Sequence, residues 1–376
     1  MSWKGDAVVL KEKTLSLSEF FKGIAIIMVV LVHSHQPFSL PDWSTAVQRF
    51  GQMGCQIFFV LSAFGLCMSY QKSPLPWTAF MKKRIGKLAI GYWTMIVLRM
   101  IDRVLQALVH GENLISAANF PGVICNALFL HGLIPIGNIN NKVVGGGWYV
   151  GTTVLLYALF PLLYKLYMHE NAKWRAKRLV LFPVITLVSC AVLMLASSVV
   201  HPFFECKNNG FMYYSFVNQL PCFSLGFCLY DLVENGKTEQ VKAPILWSAV
   251  FACAAVTLFF GAWKHVFILV PTLFGAAFLF LFLYVLRSSA AQKRVENCRL
   301  VRSFGQISYA VYLTHPVVVY SLMNTVCNII GDYITNDTLW YYLTLPISFA
   351  LVYFLAKAFH GYIAWVSKGL SGKRSA

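Results

Sequence analysis

Apolar residues gather along this chain in blocks of about twenty, near 17–37, 52–70, 88–109, 120–135, 148–168, 179–200, 211–230, 243–263, 266–286, 304–330 and 339–366. A helix of that length crosses a hydrocarbon core roughly 30 Å thick. No long segment alternates apolar and polar residues with period two, which argues against a transmembrane β-barrel. In lipid each spanning segment must satisfy its own backbone, so bundled helices remain. The predicted fold class is an all-α polytopic membrane protein.

Composition agrees with that pattern. Hydrophobic residues are 58% of the chain and charged residues 12%, whereas a soluble domain is about half apolar and about a quarter charged. The net charge of +17 would suit nucleic acid if it lay along one soluble face. Instead the basic residues sit in short loops between apolar blocks, so no nucleic-acid partner is predicted and the charge reads as topology. Clusters at Lys4–Lys22, Lys72–Lys87, Lys165–Arg178, Lys237–Lys242, Arg287–Arg302 and Lys368–Arg374 hold 24 of the 31 Lys and Arg residues. All six are placed on the cytoplasmic side. The block at 88–109 then rises from the cytoplasm and that at 148–168 descends to it. The block at 120–135, which ends in Leu-Ile-Pro-Ile-Gly, therefore cannot span and is predicted to be re-entrant or interfacial. The expectation is about ten transmembrane helices with both termini cytoplasmic. Residues 1–376 would form a single integral-membrane domain, with a cytoplasmic N-terminal segment at 1–16, a tail at 367–376 and no soluble C-terminal domain. The first block has no small-residue cleavage site and resembles a retained signal-anchor. The ten cysteines form no CxxC pair and no metal spacing with His, so neither a metal nor a disulfide is predicted.

Ionisable groups inside spans cost at least about 2.5 kcal/mol at the bilayer centre, which marks them as candidate functional residues. In Phe-Phe-Lys-Gly-Ile-Ala-Ile-Ile-Met-Val-Val-Leu-Val-His, Lys22 opens the first span and His33 stands roughly 16 Å further along it. A neutral imidazole there could accept a proton, or simply hydrogen-bond a neighbouring helix. Arg84 and Lys87 are three apart, on one helix face at the cytoplasmic mouth of the third block. They could grip phosphates, or serve as plain positive-inside anchors, the reading preferred for Lys82 and Lys83. Gly145-Gly-Gly-Trp-Tyr permits a sharp outer turn, with Trp148 and Tyr149 suited either to an interfacial belt or to stacking on a sugar ring. Ser308, Tyr309, Tyr312 and His315 recur at helical spacing, so they line a cavity or bond another helix.

These four places together resemble the bacterial acyltransferase-3 family, integral-membrane acyltransferases that modify surface polysaccharides. Lys22 through His33 matches its opening basic, Gly-Ile-Ala and His element, and Arg84 with Lys87 its Arg-x-x-Arg element. Trp148, Tyr157 and Pro161 match its Trp, Tyr and Pro series, and Ile307 through His315 its Ile-Ser-Tyr-x-x-Tyr-Leu-x-His element. The resemblance implies a membrane O-acyltransferase of the bacterial plasma membrane. It would move an acyl group, acetyl or else succinyl, from cytoplasmic acyl-CoA to a hydroxyl of an extracytoplasmic glycan or lipid-linked sugar. Acyl-CoA, acetyl-CoA in the first instance, would be a co-substrate, with no tightly bound cofactor. His33 would be catalytic, Lys22, Arg84 and Lys87 would bind the donor, and Trp148, Tyr149, Ser308, Tyr309, Tyr312 and His315 would line the acceptor cavity. The chain departs from the family pattern in Lys22 and Lys87, which replace arginines, in Thr153, where many members carry Glu, and in Ile90, near where Pro often follows. A transporter or flippase for a lipid-linked or polar substrate is the alternative, although two similar halves or paired broken helices, common in transporters, are not seen.

Overall fold

The computed structural model describes residues 3–34, 38–133, 143–168, 181–182, 184–192, 213–234, 236–266, 269–330, 333 and 336–372. Among these there is no strand. The helices are α1 (Trp3–His33), α2 (Asp42–Phe50), α3 (Gly54–Lys72), α4 (Trp77–His110), α5 (Leu114–Ala118), α6 (Phe120–Ala127), α7 (Trp148–Tyr167), α8 (Phe216–Glu234), α9 (Pro244–Val266), α10 (Leu269–Arg287), α11 (Ser289–Asn297), α12 (Arg299–Gln306), α13 (Ser308–Pro316), α14 (Met323–Ile330) and α15 (Asp337–Gly372). A 3-10 turn at Gly51–Met53 joins α2 to α3, and a π turn at Val317–Leu322 joins α13 to α14.

Eight stretches among the described residues are long and apolar enough to cross a membrane: Glu12–His33, Asp42–Lys72, Trp148–Tyr167, Phe216–Glu234, Pro244–Gly261, Leu269–Arg287, Ser308–Ile329 and Asp337–Leu370. The chain is a multi-pass α-helical membrane protein. Each of the eight overlaps a predicted block. The block at 88–109 lies within α4, which has the length to span at 34 residues but carries Arg99, Asp102 and Arg103. Arg99 and Asp102 neutralise each other at 2.7 Å. The block at 179–200 is described only at 181–182 and 184–192, as helix.

The predicted non-spanning segment at 120–135 stays short. α5 and α6 together cover only Leu114–Ala127, and Asn119 and Phe129 break the path with positive φ of 46° and 59°. Asn113 caps α5 by accepting from the Ile115 and Ser116 amides, and Asn119 caps α6 by accepting from the Gly122 amide. The continuation through residues 134–142, Lys142 included, lies outside the described residues.

One compact unit comprises residues 1–62 and 229–361. Its axis is α1, whose Ala25, Ile26 and Val30 are wholly buried. Two contacts hold it through bare backbone. A Cβ on Gly23 would collide with the Val301 carbonyl, and one on Gly305 with the Glu19 carbonyl, so α12 lies directly against α1. On another side, a Cβ on Gly51 would meet the Met28 carbonyl and Val32. Glu19 accepts from Arg302 and from Gln306, both at 3.2 Å, beside the glycine crossing. Phe50 packs edge-on against Phe259 and Phe274, fixing the end of α2 on α9 and α10.

The other unit comprises residues 63–228 and 362–376. Phe160 of α7 stacks between Phe80 of α4, at 5.3 Å, and Phe227 of α8, at 5.5 Å. The short segment is tied in by buried polar groups. The Tyr92 hydroxyl donates to Asn126 at 2.6 Å, and His131 Nε2 donates to the Gly147 carbonyl at 2.9 Å. Burial lowers the basicity of His131. Trp93 donates to the Ala127 carbonyl. Non-helical backbone within a membrane protein needs this kind of internal satisfaction.

Candidate active site

His33 is the last residue of α1; two side chains from α13 and the π turn pack on it, with a third behind them. Its Nδ1 is 2.5 Å from the Tyr320 hydroxyl, with the two rings edge-on at 5.6 Å. Its ring stacks on His315 at 5.2 Å with an interplanar angle of 24°. Tyr312 packs on the far histidine at 5.9 Å. His315 is fully buried and donates from Nδ1 to the Val311 carbonyl, which leaves its Nε2 with the lone pair and no hydrogen-bond partner among the described residues. His33 itself is half-buried.

The backbone explains why Tyr320 arrives there. Pro316 has no N–H to continue the helical ladder, and the chain widens into a π turn immediately after it. In an α-helix, residues five apart point well away from each other. The i to i+5 closure of a π turn brings Tyr320 round towards the side held by His315. Such turns concentrate at functional sites. Tyr320 is the member of the cluster that sequence reasoning missed: it stands eight residues beyond Tyr312, past Pro316, where the matched element has already ended. Pro316 was the available signal.

The remaining candidates divide between the two units. Ser308 and Tyr309 are half-buried at the start of α13, with Ser308 about 10 Å along the axis from His315. Lys22 is half-buried on α1, next to the Glu19–Arg302 pair. Arg84, in the second unit, donates to the Ser69 hydroxyl at 2.6 Å and lies over the Phe80 ring at 5.5 Å. Its guanidinium is also close enough to Tyr157 for the two to interact electrostatically, which brings two of the matched elements together. Lys87 is exposed one turn further on. Trp148 is 8% exposed, and its ring packs against Tyr213 at 5.4 Å, Tyr214 at 4.9 Å and Tyr149 at 6.1 Å. Thr153 is buried, and its hydroxyl has no hydrogen-bond partner among the described residues.

A histidine pair with a phenol on one nitrogen, carried by two apolar helices, is a group able to take and return a proton away from bulk water. Neither the curated proteins nor the solved structures gave a match to this chain. The model of the acyltransferase-3 family, described as an acyltransferase domain, matches residues 18–357, a range that takes in His33, Arg84, Trp148, His315 and Tyr320. The chain belongs to that family and is a membrane acyltransferase.

Proposed function

We propose that the protein is a bacterial plasma-membrane O-acyltransferase that takes an acyl group, acetyl in the first instance, from cytoplasmic acyl-CoA and delivers it to a hydroxyl of an extracytoplasmic glycan or lipid-linked sugar. The observation that carries this is the hydrogen bond from His33 to Tyr320 with His315 stacked behind it. With Nδ1–H donating to the Tyr320 oxygen, His33 keeps its lone pair on Nε2, the nitrogen that a general base needs. The acceptor hydroxyl loses its proton to Nε2 as its oxygen attacks the thioester carbonyl. The acyl–oxygen bond forms, the acyl–sulfur bond breaks, and the imidazolium returns the proton to the departing CoA sulfur. Transient transfer of the acyl group to His33 is the two-step form of the same chemistry.

Arg84 and Lys87 supply positive charge for the phosphates of CoA, with Arg84 held by Ser69 and Phe80. Loop charges support cytoplasmic placement of both termini and of Lys22, Arg84 and Lys87. The protein in nanodiscs, given radiolabelled acetyl-CoA and a glycan acceptor, is expected to release CoA and label the glycan. His33→Ala is expected to lose at least about a hundredfold of that rate. Full activity in His33→Ala would remove His33 from the chemistry.

A further inference from the structure

Along α2, the 3-10 turn and α3, polar residues recur every fourth position: Ser44, Gln48, Gln52 and Gln56. Four-residue spacing keeps them on one face of a nearly continuous helical path. Phe50, Gly51 and Gly54 are all right-handed helical in φ and ψ, and Asp42–Lys72 behaves as one 31-residue apolar stretch. Yet three of the four are buried, with Gln52 half-buried. Ser44 is 2% exposed, Gln48 6% and Gln56 0%. Burying an amide in apolar surroundings costs free energy unless both its carbonyl and its N–H groups are used.

Part of the row is satisfied internally. Gln48 donates from Nε2 to the Ser44 hydroxyl at 3.3 Å, and Ser44 pairs with the Tyr342 hydroxyl of α15 at 3.2 Å. Gln48 Oε1, however, is buried with no hydrogen-bond partner among the described residues. It is an acceptor waiting for an O–H or N–H. A row used only for helix-to-helix bonding would spend this oxygen on a neighbour.

The row also lies against the helix that carries His33. Gly51, between Gln48 and Gln52, sits on the Met28 carbonyl and Val32 of α1, which ends in His33. Tyr341 stands next to Tyr342 with rings 5.1 Å apart, and its hydroxyl pairs with that of Ser34, the residue after His33, at 3.0 Å. Amides and hydroxyls that both donate and accept, in a neutral row with Arg49 exposed, suit a ligand with several adjacent hydroxyl groups rather than an anion.

We propose that Ser44, Gln48, Gln52 and Gln56, with Tyr342, form the subsite that grips the hydroxyl groups of a carbohydrate acceptor and presents one of them to His33. The inference rests on the acyl-transfer reading for what happens next, but its binding claim can be tested alone. The probe is methyl β-glucopyranoside, with tetrahydropyran as the ring lacking hydroxyls, each followed by saturation-transfer difference NMR on the full chain in nanodiscs. Wild type is expected to saturate the glucoside and not tetrahydropyran. The nearly isosteric Gln48→Met should weaken the apparent Kd about tenfold, Ser44→Ala should weaken it less, and Thr45→Ala should leave it unchanged. Equal saturation of both probes, no glucoside signal in wild type, or unchanged binding in both Gln48→Met and Ser44→Ala would each overturn the subsite. If Gln48→Met does not fold, Ser44→Ala against Thr45→Ala decides. Glucoside binding that depends on Gln48, in a protein that neither hydrolyses nor transfers acetyl from acetyl-CoA, would overturn the acyl-transfer reading and leave the subsite standing. Acetyl transfer without Gln48-dependent sugar binding would do the reverse.

Discussion

A phenol bound to one imidazole nitrogen decides which way the ring faces and which nitrogen is left to react. Tyr320→Phe keeps the ring packed on His33 but removes the hydroxyl at 2.5 Å. Losing that orientation should cost kcat about 10- to 100-fold, with KM for donor and acceptor each within about twofold. Initial rates across both substrate concentrations separate this from a structural effect: raised KM values with kcat intact would show that Tyr320 shapes binding rather than orienting His33. The same residue shows where sequence reading stops. His33, Tyr312 and His315 could be picked out because ionisable and phenolic groups in apolar helices are costly and stand out. Tyr320 was missed because it lies past Pro316, beyond the matched element, and the π turn that sets it against His33 has no pattern of its own in the sequence. Ser44 and Gln48 were overlooked for a different reason. They precede the apolar block that begins near 52, and the sequence does not show that the helical path runs on through Gly51–Met53 to join them to Gln52 and Gln56.

Helices in lipid gain little from apolar burial against one another, so close backbone approach has to hold them. α1 and α12 cross at Gly23 and Gly305, where an added methyl would strike the Val301 and Glu19 carbonyls. Gly305→Ala is therefore expected to lose about 1–3 kcal/mol or more through overpacking. Gly65→Ala is the matched control. Gly65 lies in α3 with nothing within 4 Å of its would-be Cβ, and alanine there should be neutral or stabilising by up to about 1 kcal/mol. Thermal unfolding of the two variants in one detergent checks this, and equal midpoints would mean that the crossing is looser than it looks. At this scale much could be read from the chain. The segment predicted not to span begins in short apolar helix, within Leu114–Ala127, and Phe129 breaks the path after it. The Glu19–Arg302 pair was not readable, since 283 positions separate its members and no local pattern joins them.

For the molecule as a whole, the number of crossings turns on α4. Its 34 residues measure about 51 Å, ample for a bilayer, yet its charges keep it apart from the eight apolar stretches. Suppose that α4 did not cross. Ser73 before it and Glu112 after it would then share a side, and α7 would run outward, carrying the basic cluster from Lys165 to Arg178 to the outer face. That arrangement opposes the positive-inside bias. If α4 crosses, α7 returns inward, and the block at 179–200 must cross as well for α8 to descend towards Lys237 and Lys242. Eight and ten crossings both leave the termini on one side; nine would separate them. Single cysteines at Ser73, Glu112, Lys242 and Asn336 on a cysteine-free background, probed with a membrane-impermeant maleimide, distinguish these cases. Glu112 and Asn336 are expected to react in intact cells, and Ser73 and Lys242 only in inverted vesicles. Labelling of Ser73 and Glu112 from the same side would show that α4 lies within one leaflet or one interface. Arg84 and Lys87 would then lose their route to a cytoplasmic donor, and the acyl-CoA phosphates would need another partner.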